Sequence, residues 1–186
     1  MRHILLHKRE FEHFDKNPSS IKKILCSAKF SFDKSYPGTL LFNNKDLGLN
    51  IHTKEIDQTT SKISQIPQIR EILVNKQRQL AEQFELIAAG RDVGTVVFPK
   101  ALCKFFLTAS PEIRAKRRYT QLKTINANTQ YDSILAQINK RDEMDTTRSI
   151  SPLKPANDST VINTDNLTIK QVVEKIHNTI IEKLCI

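Results

Sequence analysis

Tryptophan is absent from this chain, and its 186 residues include only four glycines. Aromatic residues make up 6%, which argues against a surface where successive single-stranded bases stack on rings. Cys26, Cys103 and Cys185 are odd in number and lack metal-site spacing. That excludes a disulfide framework and a zinc centre, and it fits a reduced, cytoplasmic setting. Cys103 sits within an apolar run and reads as a small core residue. No apolar run approaches the length of a membrane span, and the N-terminus lacks the pattern of a secretory signal. His3, His7, His13, His52 and His177 share no ligand spacing. There is no nucleophile elbow, metalloprotease helix or Ser/His/Asp arrangement, and no RNP-like, zinc-finger or helix-turn-helix signature.

Hydrophobic residues at 39% and charged residues at 26% describe an ordinary folded chain, long enough for one domain with a small inserted lobe. Charge is less ordinary. Lysine and arginine number 29 against 20 acidic residues, a formal net charge of +9 that points to an anionic partner: nucleotide, nucleic acid or acidic lipid.

Two of the glycines fall in Leu86-Ile87-Ala88-Ala89-Gly90-Arg91-Asp92-Val93-Gly94-Thr95-Val96-Val97-Phe98-Pro99. The apolar run at 86–89 reads as a strand buried on both faces. Gly90 and Gly94 allow a sharp turn and a close approach to a ligand. Arg91 offers a forked donor for phosphate, and Asp92 can accept from a hydroxyl or help hold a hydrated metal. A surface turn with a local Arg–Asp pair is the plainer alternative.

Residues 4–14 read as the tail of a helix with no cap before it. Asn17-Pro18-Ser19-Ser20 starts a short helix with Ile21, Ile24, Leu25 and Ala28 on one face. Phe30 and Phe32 alternate with polar residues, and Tyr36-Pro37-Gly38 turns the chain. Leu40-Leu41-Phe42, the polar Asn43-Asn44-Lys45-Asp46 and Leu49-Asn50-Ile51 complete an antiparallel meander. Thr53 caps a helix carrying Ile56, Thr60 and Ile63. Pro67 opens a longer one with Ile69, Ile72, Leu73 and Leu80 inward. Leu102–Leu107 reads as a second buried strand. Ser110 caps a helix with Pro111 at its first position, and another helix covers roughly 131–144. After an irregular Ser149–Pro155, Val161-Ile162-Asn163 forms a strand and Thr168 to Leu184 a last amphipathic helix. Strands alternating with helices indicate an α/β fold with a parallel sheet and ligands at the strands' C-terminal ends.

Two helix constellations stand out. Arg114, Arg117 and Arg118, at i, i+3 and i+4 with Lys116 beside them, form either a solvated face or a lid that closes over phosphates. Arg141, Asp145 and Arg148, at i, i+4 and i+7, form either an intrahelical ion-pair ladder or a grip on an anionic or hydrogen-bonding ligand, with Asp145 available to an exocyclic amine. Ser61 and Arg70 are unremarkable alone.

Taken in series, Gly90–Pro99, Phe105-Phe106-Leu107-Thr108-Ala109-Ser110, Arg117-Arg118-Tyr119, Arg141-Asp142…Asp145…Arg148 and Ser151-Pro152-Leu153 resemble the bacterial cytidylate kinases. These are nucleoside-monophosphate kinases of the P-loop class. The resemblance runs over nearly the whole chain. It implies a parallel sheet with helices on both faces, a small α+β lobe at 20–66 that binds the nucleoside monophosphate, and a core over 67–186 with a lid at about 114–148. It implies transfer of a phosphoryl group from ATP, with Mg²⁺, to CMP or dCMP. Arg91 then binds the acceptor phosphate and Asp92 the acceptor sugar, with Arg117 and Arg118 neutralising charge on the transferring group. Ser61, Arg70, Asp145 and Arg148 surround cytosine, and Arg141 reaches the nucleotide from the lid. Cytosine's N3 and O2 suit arginine and hydroxyl donors, and its amine suits a carboxylate.

The family also implies an opening strand and a Gly-rich phosphate loop ending in Gly-Lys. Here no glycine precedes a lysine. The chain starts where the family has a Tyr-Arg pair, with Arg2 in the arginine's place, so 1–19 reads as a truncated start of the core. The expectation is that first strand and P-loop are missing, that no residue here ligates a metal, and that the chain as written cannot turn over ATP. Its partners are then CMP, dCMP and ATP, with no nucleic acid or membrane, and it acts as a monomer if complete. The alternatives are a non-catalytic CMP-binding remnant and, on charge alone, a basic RNA-binding module.

Overall fold

In the computed structural model, which describes residues 18–33, 35–36, 39–46, 66–124 and 127–184, the chain forms two units, residues 1–87 and 88–186. The helix expected over 4–14, the strand at Leu49–Ile51, the helix begun by Thr53, and Arg2, Pro37, Gly38 and Ser61 lie outside the described residues.

In the first unit, Pro18 opens helix α1 (Pro18–Ser27), as its fixed φ and missing N–H permit at a first turn. Leu25 and Ala28 bury their side chains, at 1% and 3% exposure. Strands β1 (Phe30–Phe32), β2 (Leu40–Phe42) and β3 (Lys45–Asp46) form an antiparallel meander in that order. Phe30 pairs with Phe42 across the ladder, and their rings meet edge to face at 5.5 Å. The third strand differs from the expectation: the polar stretch after Phe42 is a turn and a strand together. Asn43 and Asn44 take φ of 50° and 64°, the left-handed pair that a two-residue hairpin requires. Their short polar side chains tolerate it, so Lys45 and Asp46 come straight back along β2. Between β1 and β2, Asp33 Oδ1 accepts from the amides of Ser35 and Tyr36.

Helix α2 (Pro67–Ala81) buries Ile69, Arg70, Leu73 and Val74, two interleaved i, i+4 pairs. The expected Ile72 and Leu80 sit only half-buried beside them. Lys76 Nζ donates to the Ala28 carbonyl at 2.7 Å, placing a cation at the C-terminal end of α1, where the helix dipole is negative.

The expected strand at 86–89 does not form: the backbone there is irregular, and Ile87 is fully exposed. A buried strand needs ladder partners for its amides and carbonyls. Among the described residues nothing pairs with this run. In the second unit, β4 (Phe105–Thr108) pairs, among the described residues, only with β5 (Thr160–Asn163), in parallel register from Phe105↔Thr160 to Thr108↔Asn163. β4 is shorter and less covered than expected, with Leu102 at 83% and Leu107 at 52% exposure and Cys103 half-buried.

Between these strands run α3 (Pro111–Lys123) and α4 (Tyr131–Thr147), packed on each other. Ser110 caps α3 as its position predicts, its Oγ accepting from the Ile113 amide. Ala115 is fully buried, and Tyr119 and Tyr131 meet edge to face at 6.2 Å. α5 (Ile169–Leu184) follows β5. Among the described residues no helix is long and apolar enough to cross a membrane.

Candidate functional site

The turn after Gly90 is a wide helical one, Val93–Val97. Its bonds run i→i+5 from Val97 N to Asp92 O at 3.3 Å and from Phe98 N to Val93 O at 2.7 Å. Such turns insert one extra residue per turn and recur at functional sites. The Asp92 carbonyl also accepts from Val96 N and Thr95 Oγ1. Neither glycine takes a positive φ. Gly90 is needed for space instead: a Cβ there would lie 2.7 Å from Val93 Cγ2. At Gly94 a Cβ would sit 3.5 Å from the Lys104 stem, an ordinary contact. Lys104 is buried, and its Nζ donates to the Pro99 carbonyl and to Asp158 Oδ2, fastening the far end of the turn.

Arg91 leaves this turn toward α4. Its Nε is 3.3 Å from Asp145 Oδ2 and its Nη1 3.9 Å from Asp142 Oδ1. Burial pushes the Arg91 guanidinium below its ordinary value, opposed by the attraction of Asp145. Arg141 Nε is 3.8 Å from the same Asp145 oxygen, and Arg148 Nη1 is 3.6 Å from Asp145 Oδ1. Arg114, from the first turn of α3, reaches Asp142 Oδ2 at 2.6 Å. Four guanidiniums against two carboxylates leave the cluster with excess positive charge.

Asp145 and Arg148 are held from behind. Arg148 closes α4 in extended backbone, its Nε donating to the Ser151 carbonyl at 2.6 Å. The Leu153 amide returns to the Asp145 carbonyl at 2.7 Å, and Ser151 takes φ 51° in this return loop. Both side chains are nearly inaccessible, at 8% and 10% exposure. Within this packing Asp145 Oδ2 and Arg148 Nη2 are buried without a hydrogen bond. Arg91 and Arg141 lie within ion-pair reach of that oxygen but not in hydrogen-bond geometry. An acceptor and a donor left this way are costly unless a ligand completes them.

Of the residues expected from sequence, the structure therefore brings together Arg91, Arg141, Asp145 and Arg148. Asp92 lies half-buried at the start of the wide turn. Arg117 is placed elsewhere: its Nη1 donates to Thr164 Oγ1 at 3.0 Å, and its Nη2 to the Thr164 carbonyl, at the C-terminal end of β5. Arg118 is solvent-exposed, and Arg70 lies on the buried face of α2 in the first unit. Sequence reasoning quotes Asp142 only within the family string and assigns it no role, and it places Arg114 among the solvated or lid cations. The signal was the i, i+3 spacing of Asp142 and Asp145, which puts both carboxylates on one helix face. Among the described residues no group of three or more His, Cys, Asp or Glu is placed to hold a metal ion.

A family model for cytidylate kinase matches residues 3–182. The chain belongs to the cytidylate kinase family. A cytidylate kinase of Fervidobacterium nodosum is 41% identical over 166 residues, 89% of this chain and 74% of the relative. One from Clostridium botulinum is 38% identical over 173 residues, 93% and 77% of the two chains. One from Caldanaerobacter subterraneus is 44% identical over 149 residues, 80% and 66%. Cytidylate kinases are nucleoside-monophosphate kinases, a transferase family whose chemistry uses ATP and Mg²⁺. The mixed α/β fold with its parallel β4–β5 pair is consistent with that family, and the positive charge then belongs with a nucleotide enzyme. An RNA-binding module is not favoured.

Proposed function

We propose that the arginine–aspartate cluster is the acceptor half of a CMP/dCMP kinase site. The observation that carries this is two buried, unsatisfied atoms, Asp145 Oδ2 and Arg148 Nη2, on side chains that pair through Oδ1 and Nη1 at 3.6 Å. Cytosine presents a complementary pair, an amine that donates and N3 and O2 that accept. A base with the opposite pattern would leave both protein groups unpaired, which is the stronger route to discrimination.

On this reading Arg91 and Arg141 meet the nucleotide's phosphate, a group that carries about −1.5 to −2 charges at neutral pH, and Asp92 takes the sugar hydroxyl. The family resemblance, from sequence alone, adds Ser61 and Arg70 as candidates for cytosine recognition. Arg117 and Arg118, in a lid over about 114–148, attend the transferring group. The acceptor is already ionised, so no catalytic base is required; positioning and charge stabilisation suffice. ATP supplies the phosphoryl group and Mg²⁺ its counter-charge. The described residues offer no cluster to hold that ion, so we assign it no ligand and derive no step through it. On this reading the enzyme acts in the cytoplasm on free nucleotides, with dCMP as the second acceptor, and is a monomer if complete.

Calorimetric titration of residues 1–186 with CMP, and with AMP as control, tests the reading. Binding of CMP at least about tenfold tighter than AMP is expected, the size of loss when polar groups go unpaired. Equal affinities overturn it. A coupled assay with ATP and Mg²⁺ on the same sample tests the separate expectation that the chain as written does not turn over ATP. CMP-dependent ADP formation would refute that expectation alone.

A further inference from the structure

We propose that Asp142 is a positioning residue. It locks Arg114 as a strut between α3 and α4 and through that strut sets the direction of Arg91. The inference rests on the reading above, in which Arg91 meets the acceptor phosphate.

Arg114 is fastened at two points. Its Nε donates to the Ala109 carbonyl at 2.9 Å, at the junction of β4 and α3. Its Nη2 pairs with Asp142 Oδ2 at 2.6 Å, the shortest ion pair in the cluster. A guanidinium held at both ends is no longer a mobile surface cation. It joins the C-terminal end of a strand to the middle of α4, in the forked geometry that arginine alone offers.

Asp142 divides its oxygens: Oδ2 goes to Arg114, and Oδ1 faces Arg91 Nη1 at 3.9 Å. One turn further along α4, Asp145 Oδ2 faces Arg91 Nε at 3.3 Å. The two carboxylates thus bracket Arg91 from Nε to Nη1. The bracket fixes the plane of a guanidinium whose side chain stays 37% exposed and so open to a ligand. Arg114 and Arg141 both repel the charge on Arg91. Asp142 is the carboxylate that keeps Arg114 and Arg91 close despite that repulsion. Misorientation of a phosphate-binding group by a fraction of an ångström weakens what it holds, and Asp142 prevents it without contact to the nucleotide.

The test is a double-mutant cycle on the full chain with two ligands. Asp142→Asn keeps size and an acceptor oxygen but removes the charge; Arg114→Gln removes the other partner. CMP and cytidine are titrated by calorimetry against wild type, both variants and the double variant, with urea unfolding as the check on folding. We expect CMP binding to weaken roughly tenfold in each single variant, the scale of a lost charge-assisted bond. Cytidine, which lacks the phosphate, should change by less than about twofold. The double variant should be no worse than either single one, because one contact is removed twice. A purely structural role would weaken both ligands together. Equal losses for CMP and cytidine, additive losses in the cycle, or unchanged CMP binding in Asp142→Asn overturn the inference while wild type still binds CMP. Failure of wild type itself to bind CMP overturns the proposed function, and this inference with it. Where Arg114→Gln fails to fold, Arg114→Lys replaces it: it keeps the charge and loses the fork, so an intermediate CMP loss is expected and none counts against the strut.

Discussion

Gly90 and Gly94 look alike in sequence and differ in what they tolerate. A methyl at Gly90 collides with Val93 Cγ2, on a β-branched side chain that cannot swing away freely, whereas at Gly94 it meets the Lys104 stem at normal distance. Gly90→Ala is therefore expected to lower stability by about 1–2 kcal/mol, as overpacking does. Gly94→Ala should be neutral or stabilising by up to about 1 kcal/mol, since it only restricts the unfolded chain. Urea unfolding of the two variants checks this, and equal effects would refute it. Arg141, Asp145 and Arg148 were legible as one face because helical spacing is local information. Asp142 with Arg114 was not, because the partners belong to different helices and only their packing brings the charges to 2.6 Å.

At the scale of elements, the helices were read closely from caps and periodicity: Ser110–Pro111 starts α3, and Pro18 and Pro67 start α1 and α2. The strands were read less well. An apolar run becomes a strand only when another backbone lies beside it, and Leu86–Ala89 has no such neighbour among the described residues. Within the polar stretch Asn43-Asn44-Lys45-Asp46, polarity alone does not show that the first two residues are a complete two-residue turn and the last two a strand. Two carboxylates tie elements together at the edges of the β4–β5 pair. The hydrogen bond from Lys104 holds Asp158 below the ordinary aspartate value of 3.8, and the amide of Ser110 does the same for Asp165. A carboxyl whose folded value is depressed stabilises the fold above its unfolded value, and that contribution is lost as pH falls through the folded value. The stability gap between wild type and an Asp158→Asn/Asp165→Asn variant should therefore be full well above the ordinary aspartate value of 3.8 and shrink as pH falls below it. A gap that stays constant in urea titrations across that range would remove these two groups as the cause.

For the molecule as a whole, a net charge of +9 pointed to an anion without saying which. The cluster on α4 narrows it, because an arginine surplus sits beside a buried acceptor and a buried donor. What no local pattern conveys is how such a site comes together in time. β4 and β5 run parallel, so closing that pair means bringing together ends separated by roughly fifty residues, at an entropic cost that sequence neighbours never meet. The α3–α4 hairpin lies inside that crossover and closes on much shorter loops. Arg114 and Asp142 both belong to the hairpin, while Arg91 must arrive from outside it. Pulse-labelled hydrogen exchange during refolding should protect the α3 and α4 amides before those of β4 and β5; simultaneous protection would contradict this. In that order of events the strut is standing before the arginine it steadies is delivered, and each newly made molecule assembles the arginine–aspartate cluster from the back forwards.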